Sequence, residues 1–81
     1  MSHGQANQKK TIIGIKQTVK ALRTGRVQEV LLASDADGRL LGDLLVLARE
    51  NGVPVRYAGT RLELGLAHGI DVGASVVAIT E

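Results

Sequence analysis

The chain contains no cysteine, no phenylalanine and no tryptophan, and only one tyrosine, one proline and one methionine. Each shortage excludes something. Without cysteine there can be no disulfide and no thiolate metal site, which suits a reducing compartment. With a single aromatic residue the core must be built from Leu, Val, Ile and Ala, and the aromatic platforms on which many single-strand binders stack bases are missing. A nucleic acid, if bound, would have to be held through groove, shape and phosphate contacts. No apolar run approaches the roughly 18 residues of a membrane span. Residues 1–10 are polar and lack the apolar segment of a secretory signal. The expectation is a cytoplasmic protein with no membrane partner.

Acidic residues are also missing from one part of the chain. Residues 1–26 hold Lys9, Lys10, Lys16, Lys20, Arg23 and Arg26 and no acid, a net +6, whereas residues 27–81 carry a net −4. A basic end on an otherwise acidic domain points to a localised anionic partner. The plainer alternative is a basic leader that aids solubility. The 81 residues suffice for one domain, and a hydrophobic fraction of 44% argues against overall disorder.

The pattern along the chain alternates strands and helices. Residues 1–10 are expected to be a flexible leader, with residues 11–81 as the domain. Thr11-Ile12-Ile13 is a short β-branched strand. Gly14 then permits a sharp turn into an amphipathic helix that ends near Thr24-Gly25. Val19 and Leu22 can share its buried face. Lys16, Lys20 and Arg23, at i, i+4 and i+7, share another, with Gln17 beside them. The run Val30-Leu31-Leu32-Ala33, within a strand over 27–34, fits a central strand covered on both faces. Asp37 can cap the following helix, expected over 40–50, with Leu40, Leu41, Leu44, Leu45, Leu47 and Ala48 as its apolar stripe and Arg39 facing water. Asn51-Gly52 stops it, and 53–57 is a strand whose crossover from the previous one implies a parallel pair. Thr60 and Glu63 match a capping box for a helix over 61–67, with Leu62 and Leu66 inward and Gly65 closely packed. The last strand spans 75–80. Together these make a small α/β domain with helices on both sheet faces.

Catalytic signals are weak. Asp35 and Asp37 follow a central strand, where α/β folds often place sites, and paired carboxylates can hold Mg²⁺. Gly38 and Arg39 do not continue a calcium loop, and turn and capping duty explain both acids more simply. His68 ends a helix and has no acid partner nearby in sequence; capping accounts for it. His3 is a poor metal candidate. No phosphate-binding glycine loop or nucleophile elbow is present. Binding signals are stronger. A long amide and several cations leave the first turns of one helix, as a base edge and its phosphates would require. Val72, in the loop Asp71-Val72-Gly73, either packs on an unstacked base or staples the last strand to the core.

Taken together, Gly14-Ile-Lys-Gln-Thr-Val-Lys-Ala-Leu22, Glu29-Val-Leu-Leu-Ala-Ser-Asp-Ala-Asp37, Asn51-Gly-Val-Pro54, Leu64-Gly-Leu-Ala-His-Gly69 and Ile70-Asp-Val-Gly-Ala74 resemble, in order and spacing, the kink-turn RNA-binding family that includes archaeal ribosomal protein L7Ae. The chain looks most like the small L7Ae-like proteins of Gram-positive bacteria. The resemblance implies a single-domain three-layer α/β/α sandwich with a small mixed central sheet, lacking the family's final helix. It implies a non-catalytic protein that binds structured RNA containing a kink-turn. This is a sharply bent internal loop flanked by sheared G·A pairs, with one nucleotide flipped out. In the family, a Gly-x-Asn-Glu-x-x-Lys segment enters the widened major groove. Gly14, Lys16, Gln17 and Lys20 stand at its Gly, Asn, Glu and Lys positions. Arg61 follows Thr60 where relatives carry Lys after Ser. Val72 and Gly73 belong to the loop that covers the flipped nucleotide. The implied RNA-binding set is Gly14, Lys16, Gln17, Lys20, Arg39, Arg61, Val72 and Gly73.

The departures from the family are specific. Lys16-Gln17 replaces Asn-Glu, so the amide of Gln17 accepts from guanine without charge assistance. Gly73 replaces a proline, which leaves the loop less preorganised. Asp37-Gly38 replaces Asp-Pro. These changes predict weaker, more salt-dependent recognition than in archaeal relatives. No cofactor or metal, no DNA specificity and a monomeric state are expected, with association with the ribosome as one setting. The alternative is a ribosome-associated or protein-interaction factor with relaxed RNA specificity.

Overall fold

Two helices cover one face of a four-stranded sheet and a third covers the other. In a computed structural model the described residues are 10–69 and 72–80. The expectations for residues 1–9, including His3, for Ile70 and Asp71, and for whatever follows Thr80 lie outside them. The order is β1 (Lys10–Ile13), α1 (Ile15–Arg23), β2 (Val27–Leu32), a 3-10 turn (Gly38–Leu40), α2 (Gly42–Glu50), β3 (Val55–Tyr57), α3 (Arg61–Ala67) and β4 (Val76–Thr80). The sheet order is β1-β4-β2-β3. β4 pairs antiparallel with both β1 and β2, and β2 pairs parallel with β3, as the helical crossover demands. The result is the expected three-layer α/β/α sandwich on a small, open, mixed sheet.

Alternation along the central strands sends side chains to two cores. Val30 and Leu32 of β2 and Val76 and Ala78 of β4 meet Ala21 and Leu22 of α1 and Leu44 and Ala48 of α2. Leu31, Ala33 and Val77 point the other way and meet Leu64 of α3 and Ala74. The continuous apolar run at 30–33 is thus buried on both faces. Neither core contains an aromatic ring.

Element ends differ from the sequence expectation for local reasons. β2 stops at Leu32 because, although Ala33 N–H still donates to Ser75 O (2.9 Å), Ser34 N–H turns away to Gly59 O (2.7 Å). β3 starts at Val55, after Pro54, which has no N–H but accepts from Val30 N–H (2.9 Å). Asp37 caps the tight 3-10 turn rather than α2, accepting from Arg39 N–H at 2.9 Å. That turn carries Leu40 outward, so α2 begins only at Gly42. The stripe of α2 is narrower than expected. Leu41, Leu44 and Ala48 are buried and Leu47 is half-buried, but Leu40 and Leu45 are exposed.

α3 is rotated from its expected orientation. Leu62 and Leu66 are 55% and 57% exposed, whereas Leu64 and Gly65 are buried. Leu62 and Leu66 lie on one side of a helix and Leu64 lies nearly opposite. In a seven-residue helix only one side can face the sheet. The side that faces the sheet is the one that packs Leu64 against Leu31, Ala33 and Val77, and the Thr60–Glu63 capping box is fully formed at the helix start.

Thr18 is buried on the inner face of α1, and its Oγ1 has no hydrogen-bond partner. A buried hydroxyl left unpaired costs about 1–3 kcal/mol. Thr18→Val keeps the shape and removes the hydroxyl. It should raise stability by about 1 kcal/mol, which is roughly 4–8 °C in Tm for a domain of this size. Thermal melting of the two proteins checks this, and a lowered Tm would contradict it.

Candidate nucleic-acid interface

One end of the sheet gathers most of the candidate residues. There β1 runs into α1, β2 leaves toward the 3-10 turn, β3 leads to α3, and the loop carrying Val72 enters β4. Backbone hydrogen bonds stitch these segments together. Gly14 N–H donates to Val76 O (3.2 Å), and Ala74 N–H donates to Arg61 O (2.9 Å). With the bonds from Ala33 to Ser75 and from Ser34 to Gly59, they link every chain segment at this end of the sheet.

Gly14 precedes α1 with φ 110° and ψ 151° and offers no side-chain cap. The first turn of α1 therefore leaves the sheet at an angle that L-residues rarely allow. Lys16, Gln17, Lys20 and Arg23 are all exposed, while Thr18, Ala21 and Leu22 face the core. Gln17 and Lys20 line one shallow groove together with Ile12, Ala21, Thr24 and Arg26.

Arg61 opens α3, and Asp35 holds it. The Asp35 carboxylate accepts Arg61 N–H at 2.7 Å and pairs with its guanidinium at 3.5 Å. The backbone hydrogen bond from Arg61 is the main cause that pulls the Asp35 pKa below the usual carboxylate value; desolvation opposes it, and the bond from Asp35's own N–H and the Arg61 guanidinium charge add to the lowering. Arg39 is exposed and gripped by Asp37, through a guanidinium contact of 3.1 Å and its own N–H. The side-chain bond from Arg39 is the main reason that the Asp37 pKa is also lowered. Because the folded pKa of Asp35 is depressed, its contribution to stability is complete above the ordinary aspartate value of about 3.9 and is lost as pH falls further through the folded value. Carboxyl NMR titration should show Asp35 ionising below the normal range in the wild type. In Arg61→Ala, which removes the guanidinium but keeps the backbone N–H, the lowering should shrink without being lost.

Val72 is 92% exposed, which rejects the core-staple alternative for that side chain. Its neighbour Gly73 has φ 92°, and a Cβ there would lie 3.1 Å from Arg61 O. The loop and the start of α3 therefore approach closely enough that a side chain at 73 would be both crowded and conformationally strained. Of the sequence candidates, the fold brings Gly14, Lys16, Gln17, Arg61, Val72 and Gly73 to one end of the sheet. Lys20 sits a turn further along α1, and Arg39 lies at the same end on the 3-10 turn.

Sequence reasoning missed two residues. From sequence Asp35 reads as a turn or metal residue, but it positions Arg61; the available signal is an acid just after a central strand, with a Thr-Arg helix start after the next one. Arg26 shares the groove with Gln17 and Lys20 although it lies beyond α1. Asp35 and Asp37 each have an arginine as counter-ion. Among the described residues no group of three or more His, Cys, Asp or Glu is placed to hold a metal. No helix there is long and apolar enough to cross a membrane.

Known proteins are similar to this chain. An RNA-binding protein of Bacillus pumilus is 45% identical over 80 residues, covering 98% of each chain. RNA-binding protein YbxF of Geobacillus stearothermophilus is 43% identical over 70 residues, covering 86% of this chain and 85% of its own. The structure of a 15.5kD RNA binding protein of Giardia lamblia superposes with a TM-score of 0.82 at 28% identity, covering 98% of this chain and 66% of that one. The sequence profile of one family matches residues 3–81. The chain belongs to the ribosomal protein L7Ae/L30e/S12e/Gadd45 family.

Proposed function

We propose that this chain is a non-catalytic RNA-binding protein that recognises a kink-turn. The observation that carries it is the convergence of an acid-free helix start, a held arginine and a 92% exposed valine at one end of the sheet. Those three features match the three demands of a bent internal loop. Gln17 reads a guanine edge from the major groove, with Lys16 and Lys20 on the flanking phosphates. Arg61, presented by Asp35, holds a backbone phosphate, and Arg39 holds another. Val72 covers the flipped-out nucleotide, with Gly73 allowing the loop to sit against α3. The relatives described as RNA-binding support the RNA class of ligand.

All of these residues come from one chain, so a monomer suffices for binding. The family name supports a role on or near the ribosome, and the absence of cysteine fits the cytoplasm. The test is a titration with an RNA duplex carrying an intact kink-turn and with one whose sheared G·A pairs are changed to Watson–Crick pairs. The intact RNA should bind tighter. Equal affinity at physiological salt would sink the proposal and favour a factor with relaxed RNA specificity.

A further inference from the structure

Cations continue well past the recognition end of the molecule. Lys16, Lys20 and Arg23 run the length of the exposed face of α1, which carries no acid. Arg26 follows, immediately before β2. The groove between α1 and β1 is lined by Gln17 at one end and Arg26 at the other, with Lys20 between them. Strand register adds a further cation. Thr80 of β4 pairs with Lys10 on one side and with Val27 on the other. Lys10 and the residue after Arg26 are therefore two strand spacings apart, about 10 Å. None of these five side chains has a salt-bridge partner among the described residues, whereas Arg39, Arg56 and Arg61 each have one.

A nine-residue helix is about 13 Å long, roughly the length of five stacked base pairs of an A-form duplex. Cations left free of acids over that distance match a strand of phosphates, and a groove beside them suits a backbone that must be tracked rather than read. We infer that the α1–β1 groove is a second RNA contact, a phosphate track in which Lys10 and Arg26 hold the backbone of one duplex arm about five base pairs beyond the kink-turn. This inference rests on the proposed kink-turn recognition. It assigns to the protein a longer footprint than the bent loop alone. Lys10 and Arg26 add affinity without adding sequence or kink discrimination, because phosphates are the same in every sequence.

The experiment compares the wild type with the double variant Lys10→Gln, Arg26→Gln. The probes are three kink-turn RNAs, one with two long arms and two with one or the other arm trimmed to the G·A pairs. Trimming one particular arm should weaken the wild type and leave the variant unchanged, so that both proteins bind the trimmed RNA equally. On the long RNA each lost phosphate contact removes about a threefold share of the affinity drop between about 50 and 200 mM salt, so the drop should be about tenfold smaller for the variant. Equal weakening of the variant on long and trimmed RNAs, or no weakening on either, would overturn the track. The same titration includes the long RNA with its G·A pairs replaced. Equal affinity of the wild type for this RNA and for the intact one counts against kink-turn recognition itself, whereas a preference for the intact RNA kept by both proteins without an arm-length effect counts against the track alone. Circular dichroism of the variant confirms the fold, since both side chains are exposed.

Discussion

Gly14→Ala should lower the unfolding free energy by about 1–3 kcal/mol and weaken RNA binding as well. Gly14 has φ 110° and ψ 151°, a region essentially closed to residues with a Cβ. A Cβ there would meet nothing within 4 Å, so the penalty is torsional and not a clash. The backbone can relieve it only by rotating. Rotation breaks the Gly14 N–H bond to Val76 O, 3.2 Å, and swings the first turn of α1, which carries Lys16 and Gln17. For a domain of this size the expected loss is roughly 5–20 °C in Tm. Thermal melting measures it, and binding is compared at a temperature where both proteins remain folded. An unchanged Tm would mean that the turn has another conformation. Gly73→Ala differs in kind, because there the new Cβ would press on the Arg61 carbonyl at 3.1 Å as well as strain the backbone.

Gln17→Ala and Lys20→Ala should fail in different ways. A side chain that reads a base edge contributes about 1–3 kcal/mol of discrimination when bidentate. Gln17→Ala should therefore cost on the order of tenfold in affinity for intact kink-turn RNA, at the lower end of that range, and little for RNA with replaced G·A pairs. Its signature is a shrunken ratio between the two RNAs. Lys20→Ala should weaken both RNAs alike and reduce the slope of log affinity against log salt by about 0.7–0.9, the share of one phosphate contact. Gln17→Glu tests the same position from the other side. An ionised carboxylate accepts a stronger hydrogen bond from guanine than a neutral amide does, so intact RNA should bind several-fold tighter. Both residues are exposed on α1, so neither change disturbs the core. If Gln17→Ala leaves the ratio intact, the guanine contact belongs elsewhere, and Lys16 is the next side chain to test.

Much of this protein was legible from local chemistry. Strand and helix order followed from patterning because each apolar run had one dominant period. The Thr60–Glu63 capping box and the central position of β2 were visible because both depend on residues close in sequence. Element ends were less legible. Where β2 stops depends on whether Ser34 bonds to β4 or to Gly59, 25 residues away in the chain and invisible to any local pattern.

The sequence by itself determined the all-aliphatic core, the α/β class and the acid-free first helix. Those properties follow from composition, period and local hydrogen bonding. Only the tertiary structure decided which way short elements turn and which residues meet. Leu62 and Leu66 point outward because a helix of seven residues presents one side to the sheet, and packing against Leu31, Ala33 and Val77 chooses Leu64. Val72 points to solvent because Gly73 and Ala74 are pinned to Arg61, which leaves no core position for it. Asp35 proved to be the anchor of Arg61 from 26 positions away. Gln17 and Arg26 came to share a groove because α1 folds back over β1. Contacts of that kind are set by chain closure and packing of distant segments, which no window of neighbouring residues contains.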